Sequence, residues 1–209
     1  MTLHSSPPAR TGRRRWLSAA AGLLAAGILL PACSDRPAFK GIDLTGADYA
    51  QALSLPDQDG RQRSLAEFKG KVVVLFFGYT QCPDVCPTSL LELAQAKQLL
   101  GPDGERLQGL FVSVDPERDT HEIMKAYMTL FDPTFLALLP TPQQLPALAK
   151  SFKVYYRKVE GSTPSSYTMD HSAGSYVYDT QGRLRVYHRY GSGAAALAAD
   201  IRILLAEAR

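Results

Sequence analysis

The run Val72-Val73-Val74-Leu75-Phe76-Phe77-Gly78-Tyr79-Thr80-Gln81-Cys82-Pro83-Asp84-Val85-Cys86-Pro87 decides the fold of this 209-residue chain. Its first six residues are apolar on both faces, which is typical of a central strand in a covered sheet. Two cysteines follow at Cys-x3-Cys spacing, and an amphipathic segment, Thr88 to Leu100, comes next. A strand that ends in paired thiols and continues into a helix is where thioredoxin-like folds carry out sulfur chemistry.

The segments on either side of this run predict an α/β domain. A second apolar strand, Leu107 to Val114, completes a strand-helix-strand unit and predicts a right-handed parallel crossover. Upstream, Gln51 to Leu55 and Gln62 to Leu65 flank the turn Asp57-Gln58-Asp59-Gly60, which predicts a hairpin. Together with the downstream pattern, this predicts an α/β thioredoxin-like fold with an N-terminal hairpin extension.

The downstream pattern alternates helices and strands. We expect a helix with Ile123, Tyr127, Leu130 and Phe131 on its buried stripe, and we assign Met124 and Met128 to the core. The later expected elements are a helix ending near Phe152, a strand over Val154 to Val159, a hairpin over residues 175–190 and a last helix bearing Leu197, Ile201 and Leu204.

Residues 1–32 predict a lipoprotein-type signal peptide. Leu17 to Leu30 is an uncharged run of 14 residues behind three arginines, which is short for a bilayer span and suits a signal h-region. Ala32 before Cys33 looks like a lipobox with an acylated cysteine, and Arg13 to Leu17 resembles a twin-arginine export signal. The alternative is an uncleaved membrane anchor helix. Both predict a linker over residues 33–50 and a domain over 51–209 in the periplasm of a bacterial cell envelope.

The charge balance excludes one class of partner. Four of the 23 basic residues, Arg10, Arg13, Arg14 and Arg15, lie in the signal segment, which has no acidic residue, so 19 basic residues face 20 acidic ones in the remainder. No basic stripe with interleaved aromatic residues is left, and we therefore predict no nucleic-acid partner.

The cysteine pair is predicted to be functional. If Cys33 carries lipid, Cys82 and Cys86 are the remaining cysteines, and a disulfide across so short a loop restrains the unfolded chain little. Because a residue before proline is disfavoured in the α conformation, we expect both cysteines outside the helix and Pro87 at its first position. Two thiolates select soft ions such as Cu(I), with Zn(II) as the common competitor, and a further ligand must come from elsewhere in the chain.

Four histidines are candidates for that ligand. His4 lies in the signal segment, His121 lies near a predicted helix start, and His188 lies in a strand whose polar face we expect to meet water. His171 lies in a predicted loop that faces the cysteine loop across the top of a thioredoxin-like sheet. Position alone fits a metal ligand and an ordinary loop histidine equally well.

Three other side chains near these positions have two interpretations each. Asp115 ends a buried strand, where a carboxylate more often forms a turn than supports a metal site. Asp170 is either a hydrogen-bond partner for the far ring nitrogen of His171 or a solvated loop residue. Met169 suits core packing better than thioether ligation.

The combined motifs resemble those of the Sco/SenC family of copper chaperones. They are Phe77-Gly78-Tyr79-Thr80-x-Cys82-Pro83-Asp84-Val85-Cys86-Pro87, then Val114-Asp115-Pro116 with Asp119, and Tyr167-x-x-Asp170-His171-Ser172-x-x-x-Tyr176. The resemblance implies that Cys82, Cys86 and His171 bind copper as Cu(I) and Cu(II), with Asp115 in support. It also implies delivery of copper to the binuclear copper site of cytochrome c oxidase subunit II. Gln81 departs from the histidine or aromatic residue usual at its position.

Two functions compete on these residues. The first is a copper metallochaperone, and the second is a membrane-tethered thiol-disulfide oxidoreductase that reduces partner cysteines through Cys82 and Cys86. The two are compatible, because a copper centre with cysteine ligands must be reduced before it is loaded. A periplasmic copper donor or thiol reductant is the further partner expected. A peroxidase is disfavoured, because the strand-to-helix turn lacks the surroundings of a peroxidatic cysteine.

Overall fold

The structure is a computed structural model that describes residues 1–4, 38–163 and 166–208. The chain separates into two units, Met1–Arg36 and Pro37–Arg209. Almost all of the first unit, with the predicted signal or anchor segment, lies outside the described residues, and so does Cys33. Among the helices of the described part, none is long and apolar enough to cross a membrane.

The described part of the second unit contains ten strands and four α-helices. The strands are β1 (Ile42–Asp43), β2 (Ser54–Pro56), β3 (Gln62–Ser64), β4 (Val72–Gly78), β5 (Leu107–Ser113), β6 (Leu136–Leu138), β7 (Tyr156–Val159), β8 (Thr168–His171), β9 (Ser175–Tyr178) and β10 (Leu184–His188). The helices are α1 (Val85–Leu99), α2 (His121–Thr129), α3 (Leu145–Phe152) and α4 (Ala194–Ala206), with 3₁₀ helices at Leu65–Phe68 and Gly101–Arg106.

Six of these strands form one sheet in the order β1-β10-β9-β4-β5-β6. β4 and β5 are parallel, with Val72 paired to Leu107 and Gly78 to Ser113, so the predicted crossover through α1 is confirmed. The predicted β9–β10 hairpin joins the sheet antiparallel to β4. β1 pairs with β10, so part of the segment predicted as a linker lies at the sheet edge. β7 and β8 form a separate two-stranded sheet.

Helices cover both faces of β4, which is buried along its whole length. Phe77 packs on Phe152 of α3 with ring centroids 5.1 Å apart. Gly109 pairs with Val74, three residues from Phe77, and so lies on the opposite face. There, a Cβ added to Gly109 would meet Leu93 of α1 at 3.0 Å, and α1 packs on α4. The loops at the carboxyl ends of β4 and β5 therefore meet at one edge between these layers.

The buried face of α2 differs from the predicted stripe. Met124 and Met128 are buried, as expected, whereas Ile123 and Leu130 are 44% and 78% exposed. Tyr127 and Phe131 are half-buried and pack on the core, so that part of the prediction is confirmed. Leu130 is exposed because the helix ends at Thr129 and Leu130 already caps it. The methionine pair, spaced i and i+4, forms the fully buried part of the helix face.

Asp57 fastens the predicted hairpin, now β2–β3, to the rest of the domain. Its carboxylate is fully buried and accepts hydrogen bonds from the amides of Asp59 and Arg61 and from the Arg63 guanidinium at 2.7 Å. Asp57 also bridges to Leu138 of β6. Burial alone would raise the pKa of Asp57, but these hydrogen bonds outweigh it and lower the pKa below the ordinary value.

We expect Asp57→Asn to reduce the free energy of unfolding by about 2 kcal/mol at pH 7, because a buried charged acceptor is lost. Since the folded pKa is lowered, this stabilisation is present above the unfolded pKa of about 4 and disappears as the pH falls through the folded value. Urea unfolding at pH 7 and pH 3 measures the difference.

The matched control is Asp59→Asn in the same turn. Asp59 pairs with Lys125 at 2.7 Å, but both side chains are exposed, so its loss should change stability by less than about 1 kcal/mol. A pH-independent effect of Asp57→Asn would contradict the assigned ionisation.

Candidate metal centre

The cysteine loop, Tyr79–Asp84, joins β4 to α1 and carries Cys82. Asp84 is the N-cap of α1, so Cys86 is the second residue of the helix. The prediction that Cys86 lies outside the helix is wrong. Pro87 is tolerated as the third helical residue because amides of the first turn have no intrahelical acceptor to lose. The helical conformation of Cys86 therefore costs no backbone hydrogen bond at Pro87, and Cys86 adopts it despite the preference of a residue before proline for extended backbone.

Gly78 lets the Cys86 sulfur reach the end of β4. Cys86 is fully buried, and a Cβ added to Gly78 would lie 2.7 Å from Cys86 Sγ and 2.7 Å from the Phe111 ring. Real Cβ contacts are not that short, so a side chain at Gly78 would push the sulfur away. The absence of a side chain at Gly78 therefore leaves the space at the end of β4 that the Cys86 thiol occupies.

His171 reaches the same point from the other side. It ends β8, rather than lying in a loop as predicted, and the chain then enters β9 beside β4. Its ring centroid lies 6.0 Å from that of Phe76 and 5.9 Å from that of Tyr79. Nε2 of His171 is 3.4 Å from Cys86 Sγ. His171 therefore faces the cysteine loop.

The donor atoms of Cys82, Cys86 and His171 all lie within 4.8 Å of one another. Three donors about 2.2 Å from one ion in a trigonal plane are about 3.8 Å apart, so shifts below about 1 Å would bring these atoms into a coordination sphere. Elsewhere in the described residues, no second group of three His, Cys, Asp or Glu side chains gathers its donor atoms this closely. Cys82 and His171 are half-buried, which leaves one side of the group open.

The two sulfurs differ in protonation. A hydrogen bond from the Cys86 thiol lowers the pKa of Cys82, and the Cys86 amide lowers it further against the effect of burial. The Cys86 amide lies 3.4 Å from Cys82 Sγ at the helix N-terminus. The same thiol contact, together with burial, raises the pKa of Cys86. Cys82 is therefore the thiolate, and Cys86 keeps the proton until a metal displaces it.

The imidazole is oriented by the backbone. Nδ1 of His171 lies 3.0 Å from the Ser172 carbonyl oxygen. A carbonyl only accepts, so Nδ1 carries the proton and the Nε2 lone pair points at the sulfurs. Asp170 takes no part in this orientation, so of its two interpretations the structure agrees with a solvated residue and not with a bond to the ring. Successive residues of a strand point to opposite faces, and Asp170 instead pairs with exposed Arg157 at 3.1 Å.

Asp115 acts on the site through Arg118. The buried Asp115 carboxylate accepts from Arg118 Nε at 2.5 Å and from the Tyr167 hydroxyl at 2.8 Å. Nη1 of Arg118 donates to Gln81 Oε1 at 3.0 Å and to the Tyr167 carbonyl oxygen at 2.9 Å. We call Asp115, Arg118, Tyr167 and Gln81 the arginine clamp. It ties the cysteine loop to the residue before β8.

The sequence did not single out Arg118 or Tyr167 as part of this network. A signal for Arg118 was present, because a carboxylate that ends a buried strand needs a cation, and Arg118 lies three residues after Asp115. The Tyr167 contact has no local signal, since its hydroxyl comes from 52 residues away.

Asp119 holds the start of the cysteine loop. It lies just before Thr120, the N-cap of α2, and its side chain is buried. Its carboxylate accepts from the Thr80 hydroxyl at 2.6 Å and from the Ser113 hydroxyl at 2.5 Å. Burial, which is only partly offset by these bonds, raises the pKa of Asp119.

The two other histidines of the second unit, His121 and His188, lie away from the donor group. His121 is exposed at the start of α2. His188 is 4% exposed and its Nε2 lies 2.8 Å from the Asp200 carboxylate, so the prediction that it faces water is wrong. Leu184, Val186 and His188 alternate along one buried face of β10; that pattern was visible in the sequence. Met169 is buried in the core, as predicted.

Comparison with known proteins places these residues in a family. A sequence model of the SCO1/SenC family matches residues 43–206. An SCO2-like protein of Rickettsia felis is 35% identical over 139 residues, 66% of each chain. The mitochondrial SCO2 homolog of Bos taurus is 36% identical over 152 residues, 72% of this chain and 57% of that one. The chain thus spans between 57% and 66% of the length of these relatives.

Comparison with solved structures points to the same family. The structure of Bradyrhizobium japonicum ScoI with copper bound is 38% identical, has a TM-score of 0.67, and covers 73% of this chain and 97% of its own. The apo Sco1 protein of Thermus thermophilus is 38% identical with a TM-score of 0.71, covering 80% of this chain and 97% of its own. The predicted α/β thioredoxin-like fold is confirmed.

We expect Arg118→Gln to lower the free energy of unfolding of the reduced, metal-free chain by about 3 kcal/mol, because Asp115 would remain buried without its cation. Urea unfolding measures the loss. Arg157→Gln is the matched control: its pair with Asp170 is exposed on both sides and should contribute less than about 1 kcal/mol. Equal losses in the two variants would mean that the clamp does not stabilise the site.

Proposed function

The chain belongs to the SCO1/SenC family, and from that premise we propose that it is a copper metallochaperone whose ligands are Cys82, Cys86 and His171. The observation that supports this most strongly is the convergence of two sulfurs and one imidazole nitrogen within 4.8 Å. The copper-bound ScoI of Bradyrhizobium japonicum, 38% identical to this chain, supports the choice of metal.

The donor set favours Cu(I). Thiolates are soft ligands, and a three-donor group of two sulfurs and one nitrogen suits Cu(I), whereas a structural zinc site normally has four protein ligands. The imidazole, with its Nε2 lone pair turned toward the sulfurs, also suits Cu(II). Metal binding displaces the proton that Cys86 holds.

The open side of the donor group suits release of its metal to a partner. Cys82 and His171 are half-buried while Cys86 is buried, so a partner ligand reaches the ion from the solvent side without unfolding the domain. We propose the binuclear copper site of cytochrome c oxidase subunit II as the recipient, as membership of this family implies. The further partner we propose is a periplasmic protein that either donates copper to the chain or reduces its cysteines.

Thiol-disulfide exchange is the second candidate, and the asymmetry of the two cysteines favours it. The half-buried Cys82 thiolate would attack a partner disulfide and release one partner thiolate. Buried Cys86 would then pass its proton to the released partner thiolate and, as a thiolate, attack Cys82. This releases the second partner sulfur as a thiolate and leaves a Cys82–Cys86 disulfide. An external thiol reductant must reduce that disulfide before the next cycle.

The chain also needs a route to the compartment of its recipient. We propose that residues 1–32 export it, and that Cys33 anchors it by lipid in the cell envelope with the domain in the periplasm; an uncleaved anchor helix is the alternative.

We expect His171→Ala to weaken Cu(I) binding by at least about 10–100-fold, because one of three ligands is lost. The same variant should keep dithiol-disulfide cycling, which requires the two sulfurs alone. Anaerobic titration of the reduced chain against a Cu(I) chelator measures the Cu(I) affinity. Counting free thiols after treatment with oxidised and then with reduced glutathione measures the dithiol-disulfide cycling.

His121→Ala is the control, since His121 is exposed at the start of α2 and away from the sulfurs. Unchanged Cu(I) affinity in His171→Ala would overturn the three-ligand proposal. Lost thiol cycling in the same variant would show that the imidazole serves exchange as well.

For the N-terminus we expect the mature protein to begin at an acylated Cys33. Intact-mass spectrometry of protein extracted from membranes measures this, with Cys33→Ser as the variant that should stay uncleaved. An intact N-terminus in the wild-type chain would instead favour the anchor helix.

A further inference from the structure

The cysteine loop carries the one proposed metal donor that lies outside a helix or strand. Cys86 belongs to α1 and His171 ends β8, whereas Cys82 lies in the loop between β4 and α1. Loops move more readily than the elements that they connect. The Cys82 sulfur is therefore the donor that can move away from the other two while α1 and β8 stay in place.

Gln81, the residue before Cys82, ties this loop to the arginine clamp. Its side-chain oxygen lies 3.0 Å from Nη1 of Arg118. A guanidinium only donates, so Oε1 of Gln81 is the acceptor. Apart from the metal donors, this is the one side-chain hydrogen bond, among the described residues, that joins residues 81–84 to a part of the chain other than α1.

Arg118 gives this bond a fixed partner. Its Nε bonds the buried Asp115 carboxylate at 2.5 Å, and its Cζ lies 3.5 Å from the centroid of the Tyr167 ring. The same Nη1 that meets Gln81 also donates to the Tyr167 carbonyl oxygen at 2.9 Å, just before β8. One nitrogen thus holds both the residue next to Cys82 and the start of the strand that carries His171. A shift of the loop away from β8 breaks the bond of Gln81 to Arg118.

Gln81 is exposed, unlike the rest of the clamp. Asp115 and Tyr167 are buried, and the Arg118 side chain is 14% exposed. Loss of an exposed hydrogen bond costs the fold little, because water replaces the missing partner. The bond of Gln81 therefore acts on the position of the loop rather than on the stability of the domain.

We infer that Gln81 is a positioning residue whose hydrogen bond to Arg118 holds Cys82 beside Cys86 and His171 and slows release of the bound ion. The inference rests on the proposed copper function and adds the step that limits release. When the bond breaks and the loop moves, the Cys82 sulfur leaves the ion and an incoming ligand bonds in its place. This is ligand exchange, and no electron is transferred.

The test is the rate at which the reduced, Cu(I)-loaded full chain gives its ion to an excess of a Cu(I) chelator, followed by stopped-flow absorbance. Gln81→Ala should raise that rate about 10-fold, the effect of one hydrogen bond to a charged donor. Gln81→Glu keeps an acceptor in the same place and should release the ion no faster than wild type. The matched control is Gln95→Ala, which removes an exposed glutamine of α1 outside the clamp and should leave the rate unchanged.

A second measurement needs no metal. NMR relaxation dispersion at the Cys82 amide of the reduced, metal-free chain should show microsecond-to-millisecond exchange in Gln81→Ala that is absent from wild type and from Gln81→Glu. The urea midpoints of the three chains should agree closely, because the fold does not depend on this bond.

Wild-type release and wild-type relaxation in Gln81→Ala would overturn the inference. Equally fast release from Gln81→Ala and Gln81→Glu would overturn it too, because the acceptor would then have no effect. Failure of the wild-type chain to hold Cu(I) would overturn the proposed function and with it the effect on release. The relaxation measurement would still decide whether Gln81 holds the loop in place.

Discussion

The buried ion pair of Asp115 with Arg118 is the contact on which the donor group depends. Cys86 and His171 are 85 residues apart, and β8, which carries His171, belongs to a two-stranded sheet outside the main one. The hydrogen bonds of the six-stranded sheet therefore do not hold the imidazole in place. Pairing of β8 with β7, in which His171 lies opposite Tyr156, holds the end of β8. Arg118 links β8 to the cysteine loop, because one guanidinium bonds the loop at Gln81 and the chain at Tyr167, just before β8. Stacking on the Tyr167 ring, whose centroid lies 3.5 Å from Arg118 Cζ, also holds the guanidinium, although its Nη2 has no hydrogen-bond partner among the described residues.

The elements that the sequence predicted well are those determined by local pattern. β4 and β5 are continuous apolar runs, and the turn beginning at Asp57 lies between two short strands, so their pairing follows from neighbours along the chain. Elements that depend on where a helix ends were predicted less well. The predicted buried face of α2 was wrong at Leu130, because the helix ends at Thr129 and leaves Leu130 exposed. β6 is only three residues long and so has no periodic pattern from which to predict it.

The candidate site divides in the same way. The motif and the expected topology predicted the cysteine pair and a facing histidine, but they did not predict where the neighbouring side chains point. Asp170 is adjacent to His171 in sequence, yet the pleat of β8 turns it away. Cys86 precedes a proline, yet it lies within α1 because the first turn tolerates Pro87. Each error came from reading a single residue's preference without the geometry of the strand or helix that contains it.

The asymmetry of the cysteines connects the two candidate functions. Both use the same sulfurs, so copper occupancy and a Cys82–Cys86 disulfide exclude each other. Cys86 lies in the gap left by Gly78 and keeps its proton, whereas Cys82 is the accessible thiolate, so an incoming ion or disulfide meets Cys82 first. The next step decides the outcome: with His171 Nε2 3.4 Å from Cys86 Sγ, an ion gains two further ligands at once, while a disulfide gains only the Cys86 sulfur. The imidazole therefore favours metal capture over exchange at a site that is otherwise suited to both.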